Sequence, residues 1–482
     1  MMSETAQGLH FHGRMAKKPP ARRVKKCFNM NASNLSQTAA PYNKSKLFIL
    51  SVLALTTTGM AFSIRSNIAS EVATDLFDPI DKLHSAEMVA SAMGVVFLGF
   101  AGAIVIGSSL LDWIGMGRLL RISSFCYLLG TSIVVFSPKL QGALPIYWVV
   151  WLGMLITGIG QGLVETVINP LAATLYPEDK THRLNVLHAW WPGGIIIGGL
   201  LGLVVNKLHL NWQFQVGLVL LPSAAFGLMT FGQKFPPTER VAAGVSAGGM
   251  FKEALRPFFI LWFLCMLLTA AAELAPGQWV DMALTRTVGM KGIWLLIYVS
   301  GLMFVMRHFA GSLAHKLSPV GLLWVSALLA STGLVLLSIA NSPVTGFLAA
   351  TVWGIGVCYM WPTMLGSVAE RFPRGGALLI GLMGTGGNLS INFVLPQMGK
   401  VFDEAKIRMA GGEAAFKALT GDKLNEVLTY ASQYSFRVVA ILPAILLVVF
   451  GGIWIYDKSR GGYKPEKIVP ASEVLAQPAS EM

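Results

Sequence analysis

Charge is what this chain has least of. Of its 482 residues only 13% are Asp, Glu, Lys or Arg, while 54% are hydrophobic; an ordinary soluble domain carries about a quarter charged residues. The few charges are clustered, and one uncharged block runs from Gly142 to Val164. A soluble protein built on one large core is therefore excluded. So is a β-barrel, whose strands would alternate apolar and polar residues over about ten positions. A membrane-spanning helix needs about 20 mainly apolar residues, and backbone groups in lipid must bond within their own segment. The chain reads as an all-α, multi-pass membrane protein.

Other absences narrow the function. The four cysteines, Cys27, Cys126, Cys265 and Cys358, form no C-x-x-C pair, so neither a disulfide framework nor a metal site is expected. The last three lie in apolar runs and read as small packing residues. Walker A, H-E-x-x-H and a nucleophile elbow are all missing, which argues against ATP-driven transport and hydrolytic chemistry. "GTGGN", residues 384–388, sits inside an apolar run and follows no strand, so it makes a poor nucleotide loop. No segment is large enough for a soluble enzyme domain. We expect no enzyme, no cofactor and no metal. The first 45 residues hold no apolar h-region of a signal peptide.

What is present is a regular series of apolar runs. They fall at about 47–69, 87–111, 119–137, 146–175, 185–206, 213–232, 258–284, 292–313, 320–341, 344–366, 376–399 and 434–456. The expected organisation is twelve transmembrane helices in two pseudo-repeated six-helix bundles. A disordered basic tail, 1–45, precedes an N-terminal bundle, 46–232. A basic linker, 233–257, leads to a C-terminal bundle, 258–456, and a tail, 457–482. Transporters are commonly built from such repeated halves. The net charge of +13 suggests nucleic acid only if the membrane is ignored. Lys and Arg concentrate in alternate loops, which marks the cytoplasmic side. Both termini are expected in the cytoplasm, with the chain in the plasma or inner membrane. In the long loop 400–433, "EAAFKAL" reads as a short surface helix.

Polar residues inside the runs are the candidate functional groups, because a charge there costs about 2.5–3.5 kcal/mol on insertion scales. Gln161, Glu165 and Asn169 recur every four residues and share one helix face. Gly158, Gly160 and Gly162 precede them and favour close helix approach. This face is expected to line a central water-filled cavity, the structural alternative being an interhelical hydrogen bond. Glu273 lies just before Pro276 and Gly277, which interrupt the seventh run, with Gln278, Trp279 and Asp281 beyond. Arg65 in the first run is open to three readings: snorkelling, attracting an anion, or neutralising Glu165 or Glu273. Arg307, read as lying near the cytoplasmic end of the eighth run, is assigned a structural or gating role.

His188 opens "HAWWPGG" and is usable in a proton path. Trp190, Trp191 and Trp361 suit stacking on a sugar face or packing on neighbours. Asn388 and Asn392 share a face that suits a neutral polyhydroxy ligand. "LLDWIGMGRLLR", residues 110–121, and "RHFAGSLAHKLSP", residues 307–319, occupy equivalent places in the two halves. In the first, Asp112 is expected to pair with Arg118 or Arg121 and bias one conformation.

The 110–121 segment resembles, in degenerate form, the loop signature of the major facilitator superfamily, G-x-x-x-D-[RK]-x-G-[RK]-[RK]. Ser108 replaces the leading glycine, Trp113 replaces a basic residue, and two extra residues precede Arg118. Within that superfamily the chain resembles the fucose permease-like sugar transporters. "GLVETVINPLAATLYPEDKTHRLNVLHAWWPGG" is similar to their G-x-x-E-T-x-x-N-P segment followed by R-L-N. "AAELAPGQWV" and "YMWPTMLGSVAERFP" resemble their seventh- and tenth-span segments. The resemblance implies that Glu165 is the acid of proton-coupled sugar binding, that Asn169 and Pro170 match the N-P, and that His188 stands where a glutamine often lines the sugar site. It also implies an aspartate in span one, where this chain aligns Asn67, two residues after Arg65.

The expected function is alternating-access transport of a small polar solute, a sugar first, with protons as possible co-substrate. The partners are the solute and the bilayer, with no nucleic acid, and the chain is expected to act as a monomer. Uniport, or transport of an organic anion or sugar acid, is the alternative that Arg65 and Asn67 favour. A non-transporting sensor ranks last, since signalling usually needs a larger extension.

Overall fold

A computed structural model describes residues 42–81, 85–287 and 293–466, and almost all of them are helical. We number the long helices in chain order. α1 is Lys44–Asn67, α2 Ser85–Ile114, α3 Met116–Phe136, α4 Ile146–Leu175 and α5 Lys180–Lys207. α6 comes in two pieces, Trp212–Gly217 and Leu220–Met229. α7 is Pro257–Thr287, α8 Ile293–Arg307 and α9 Ala310–Leu337. α10 is again in two pieces, Pro343–Cys358 and Met360–Arg371, followed by α11, Gly376–Ala410. α12 closes the series as Gly421–Val439 and Ile441–Ser459. Short helices Glu239–Ala242 and Ala247–Glu253 lie between α6 and α7, and Glu413–Ala418 falls in the expected "EAAFKAL" segment.

Ten of these helical stretches are long and apolar enough to cross a membrane by length and composition. A count of twelve adds α8, whose apolar stretch Ile297–Arg307 is short, and α11, Gly376–Ala410. Large apolar side chains such as Ile106, Phe125, Leu203, Leu228, Leu348 and Val448 are exposed. On a water-soluble surface this would invite aggregation; on a membrane helix it is the lipid-facing side.

One break deserves its physical reason. α9 is divided at Ser318, whose φ of 65° is in the left-handed region. Pro319 follows, and proline lacks the N–H for a helical bond and pushes its predecessor out of the α region. The residues before Ser318 therefore extend the eighth span, and the ninth begins at Pro319. This places Arg307 well inside the eighth span, at a local interruption over His308 and Phe309, and not at its cytoplasmic end.

Helix pairings recur at an offset of six. α1 packs on α5, and α2 and α3 on α4; likewise α7 packs on α11, and α8 and α9 on α10. The glycines before Glu165 explain the α2–α4 pairing. A Cβ on Gly158 would stand 2.3 Å from the Val96 carbonyl oxygen, and one on Gly162 2.3 Å from that of Phe100. Backbone at this distance leaves room for no side chain, so the small-residue pattern fixes how closely α4 approaches. The two groups of helices meet mainly through α2 against α11 and α5 against α8 and α10.

Candidate functional site

A cavity of about 500 Å3 lies among α1, α2, α4, α5, α7, α8, α10 and α11. Its lining includes Arg65, Gln161, Glu165, His188, Glu273, Arg307 and Asn388, with Phe62, Phe97, Trp191 and Trp361 as aromatic walls. The volume suits a small-molecule ligand. Seven separated sequence positions thus converge, including both intramembrane carboxyls.

At the floor, two runs of hydrogen bonds that meet at His188 link the two carboxyls. Asn169 Nδ2 donates to Glu165 Oε2 at 2.7 Å. On the other side, Asn169 Oδ1 lies 2.8 Å from His188 Nε2, so with this amide orientation the imidazole donates. The first contact follows from residues four apart on α4 sharing a face; the second comes from α5, which presents His188 to that face. The path then passes through the backbone. Arg307 Nη1 donates to the His188 carbonyl at 2.8 Å, Nη2 to Glu273 Oε1 at 3.1 Å, and Nε to the Cys358 carbonyl at 2.6 Å. Arg307 is only 2% exposed and Glu273 7%. A guanidinium dispersing its donors over three acceptors is what makes a buried charge tolerable. The expected position of Arg307 near the cytoplasmic end of its span is therefore corrected: it crosses from α8 to α5, α7 and α10 at the cavity floor.

Arg65 does not neutralise Glu165 or Glu273. It is 8% exposed, and its guanidinium carbon lies 5.5 Å from the ring centres of both Phe62 and Phe97. Among the described residues no carboxylate pairs with it. Gln161 is buried and lines the cavity, and its Nε2 lacks a partner. Asn388 also lines it, with Nδ2 bonded to its own helix at the Gly384 carbonyl. Asn169 acts behind the lining, through Glu165. Asn67 is exposed and is not part of the cavity wall; Ser66 is the residue α1 contributes there. The side chains of Gln278, Trp279, Asp281 and Asn392 lie outside the described residues. Trp191 and Trp361 are wall residues, whereas Trp190 packs edge-on against Phe304.

Below the floor, at the end carrying the basic linker, the halves are fastened together. Asn185 Nδ2 donates to Thr363 Oγ1 at 3.1 Å, and Lys180 Nζ to Glu239 Oε2 at 2.6 Å and to the Ala369 carbonyl at 3.3 Å. Glu370 is the centre of this layer. Its Oε1 accepts from Thr181 N and Oγ1 of the first half at 3.2 and 2.7 Å, and its Oε2 from the Tyr463 hydroxyl at 2.5 Å. Burial, and then the Glu370 charge beside it, hold the Tyr463 phenol well above its ordinary range, so it remains the donor. The chain beyond α12 is thereby tied down, with Glu466 N bonded to the Glu370 carbonyl at 2.9 Å. Arg371 pairs with Asp457 at 2.5 Å.

The expected pairing of Asp112 with Arg118 or Arg121 is also corrected. Asp112 accepts from Arg240 and, at 2.6 Å, from Thr238 Oγ1, both in the linker. Arg121 lies over the Phe231 ring and Arg118 reaches only the Ile114 carbonyl at 3.5 Å. Neither Glu370 nor Arg240 was identified from the sequence. Both are charged residues in segments read as loops or span ends, where charge is ordinary, and their partners are some ninety residues or more away.

Among the described residues no group of His, Cys, Asp and Glu is placed to hold a metal ion. The arrangement offers carboxyls, amides, an imidazole and aromatic faces around a cavity that extends toward the end opposite the linker, along the last turn of α1 and the first half of α2. Such a lining can hydrogen-bond a small polar molecule.

The chain has recognisable relatives. It is 26% identical over 157 residues to monosaccharide-sensing protein 2 of Arabidopsis thaliana, a match covering 31% of this chain and 21% of that protein. It is 24% identical over 194 residues to myo-inositol transporter 1 of Saccharomyces cerevisiae, covering 39% and 31%. The matches thus span less than a third of either curated relative. Among solved structures, the E. coli fucose:proton symporter is similar with a TM-score of 0.61 at 15% identity, covering 83% of this chain and 99% of that one. The human organic anion transporter MFSD10 is similar with a TM-score of 0.63 at 14% identity, covering 84% and 99%. These likenesses show a shared fold. The sequence model of the Major Facilitator Superfamily, a transporter family and not an enzyme family, matches residues 47–394, so the chain belongs to that superfamily.

Proposed function

We propose that this chain is a secondary transporter that carries a small polyhydroxylated solute across the plasma or inner membrane by alternating access, with Glu165 as the proton-coupling group. The observation that carries the reading is the path from Glu165 through Asn169, His188 and Arg307 to Glu273. It spans both halves at the floor of the cavity, where movement of one half against the other must break it. The names of the two curated relatives, one sensing monosaccharides and one transporting inositol, support a sugar or polyol as the class of solute.

With the basic linker in the cytoplasm, the cavity faces outward and the Glu370 layer is the closed inner gate. Solute enters beside Glu165. Its hydroxyls compete for the Asn169 amide and the Gln161 Nε2, and the carboxyl exchanges a proton with the cavity water. Opening inward separates Asn185 from Thr363 and Thr181 from Glu370. The domain organisation follows the same reading: bundles 46–232 and 258–456 rock about the central site while the 233–257 linker holds Asp112.

Proteoliposomes with an inward proton gradient test this. Uptake above equilibrium with internal acidification is expected for the wild type, and exchange without accumulation for Glu165→Gln. Uphill uptake unchanged in Glu165→Gln contradicts the role of Glu165. Equilibration that never exceeds the outside concentration would make the chain a uniporter.

A further inference from the structure

We propose that the solute carries a carboxylate and that Arg65 is the residue that binds it, so the transported class is polyhydroxylated acids such as hexuronates. The inference rests on the transport reading and specifies its substrate. Arg65 is more than nine-tenths buried, and its side chain is held from two helices, by Phe62 of α1 and Phe97 of α2, each 5.5 Å away. Among the described residues it makes no hydrogen bond or ion pair, yet it lines the cavity. A guanidinium seated between aromatic rings keeps its five N–H donors on the rim, where a planar carboxylate is recognised edge-on by two parallel bonds.

The charges around it leave Arg65 the only cation in the described lining without a counter-charge. Arg307 faces Glu273 and spends its remaining donors on two carbonyls. Glu165 lines the same cavity but makes no ion pair with Arg65, its carboxyl being engaged by Asn169. A buried cation with no partner is costly in a membrane protein unless something else supplies the charge. Gln161 Nε2 is a second unpartnered donor of the described lining, while the one buried unpartnered acceptor there, Glu273 Oε2, belongs to the carboxyl already paired with Arg307. Donors with nothing to donate to describe an acceptor-rich ligand. Trp191 and Trp361 supply faces for a sugar ring. No bond of the solute is made or broken: its carboxylate binds Arg65 as an ion pair, Glu165 takes a proton from the outer cavity water and gives it up to water on the inner side, so acid and proton cross together.

The test pairs each acid with its neutral parent. Uptake of radiolabelled D-glucuronate and D-galacturonate is compared with that of D-glucose, D-galactose and myo-inositol in proteoliposomes, with binding read from the fluorescence of the cavity tryptophans. The acids are expected to be taken up and the neutral parents to compete poorly. Arg65→Met should lower uptake efficiency for the acids by roughly 100-fold, as expected for loss of a desolvated charge pair. Arg65→Lys, which keeps the charge and the fold but not the planar fork, should retain uptake with a raised KM. Preference for a neutral parent, or Arg65→Met handling the acids as the wild type does, overturns the proposal while leaving the transport reading standing. Absence of uptake and binding for the acids overturns it too, and if the neutral sugars also fail, the transport reading falls with it. If Arg65→Met does not give monodisperse protein, the Arg65→Lys variant and the acid-against-parent comparison in the wild type decide the matter alone.

Discussion

Glu165 and Glu273 are both carboxyls of membrane spans at the floor of one cavity, half-buried and buried respectively, and they are held in opposite ways. Glu273 has a permanent cation against it, Arg307, at 3.1 Å. Glu165 has a neutral amide, Asn169, at 2.7 Å. A carboxylate locked to a guanidinium has its charge set by its partner. One bonded to an amide can change protonation while its partner merely rearranges. On the proposed reading the two acids do different work: Glu273 holds Arg307 within the second half, and Arg307 in turn bonds the His188 carbonyl of the first, while Glu165 responds to protons and solute.

Breaking the Glu273–Arg307 pair should have the largest effect. Removing one member of a buried pair leaves the other uncompensated and costs about 3–5 kcal/mol. Glu273→Leu should therefore lower the thermal unfolding temperature in detergent and abolish uptake. The double change Glu273→Leu with Arg307→Met should recover much of the stability and none of the uptake. Full additivity of the two losses would show that the pair is not coupled. Glu165→Gln should leave stability nearly unchanged, because the amide keeps a bond to Asn169, and should remove concentrative uptake.

A smaller effect is expected at His188, which connects the two acids. His188→Ala leaves Asn169 Oδ1 without its partner, at a cost of about 1–3 kcal/mol, and should slow proton-coupled uptake more than exchange. Weaker again is the inner layer. Tyr463→Phe removes one bond to Glu370, about 0.5–1.5 kcal/mol, but between two conformations of similar energy that shifts populations. Labelling of a cysteine placed at Thr363 from the inner side should rise several-fold if the layer is the closed gate. Asn67→Ala, outside the cavity wall, should change uptake least; a large loss there would mean that α1 moves this residue into the site in another state.

Much of this was readable from residue order. The apolar runs anticipate the helices closely, because lipid requires a long uncharged stretch for each span. The four-residue spacing of Gln161, Glu165 and Asn169 places them on one face, and the small residues Gly158 and Gly162 mark where α4 meets α2. Pairings between distant segments leave no such trace. Arg307 looked peripheral because the apolar run ends soon after it, and only the turn at Ser318 and Pro319 shows that the span continues. Asp112 had basic residues six and nine positions on, yet its partner Arg240 comes from the linker. Arg65 was ambiguous for a physical reason: whether a cation in a span is neutralised depends on what faces it, and sequence periodicity does not report that.

The most direct measurement is internal pH and solute content followed together in proteoliposomes, wild type beside Glu165→Gln, using the best substrate of the hexuronate and hexose panel. The account predicts that wild-type vesicles concentrate the solute and acidify inside, while Glu165→Gln vesicles exchange labelled for unlabelled solute with no pH change. Glu165→Gln vesicles that still concentrate the solute and acidify would contradict it.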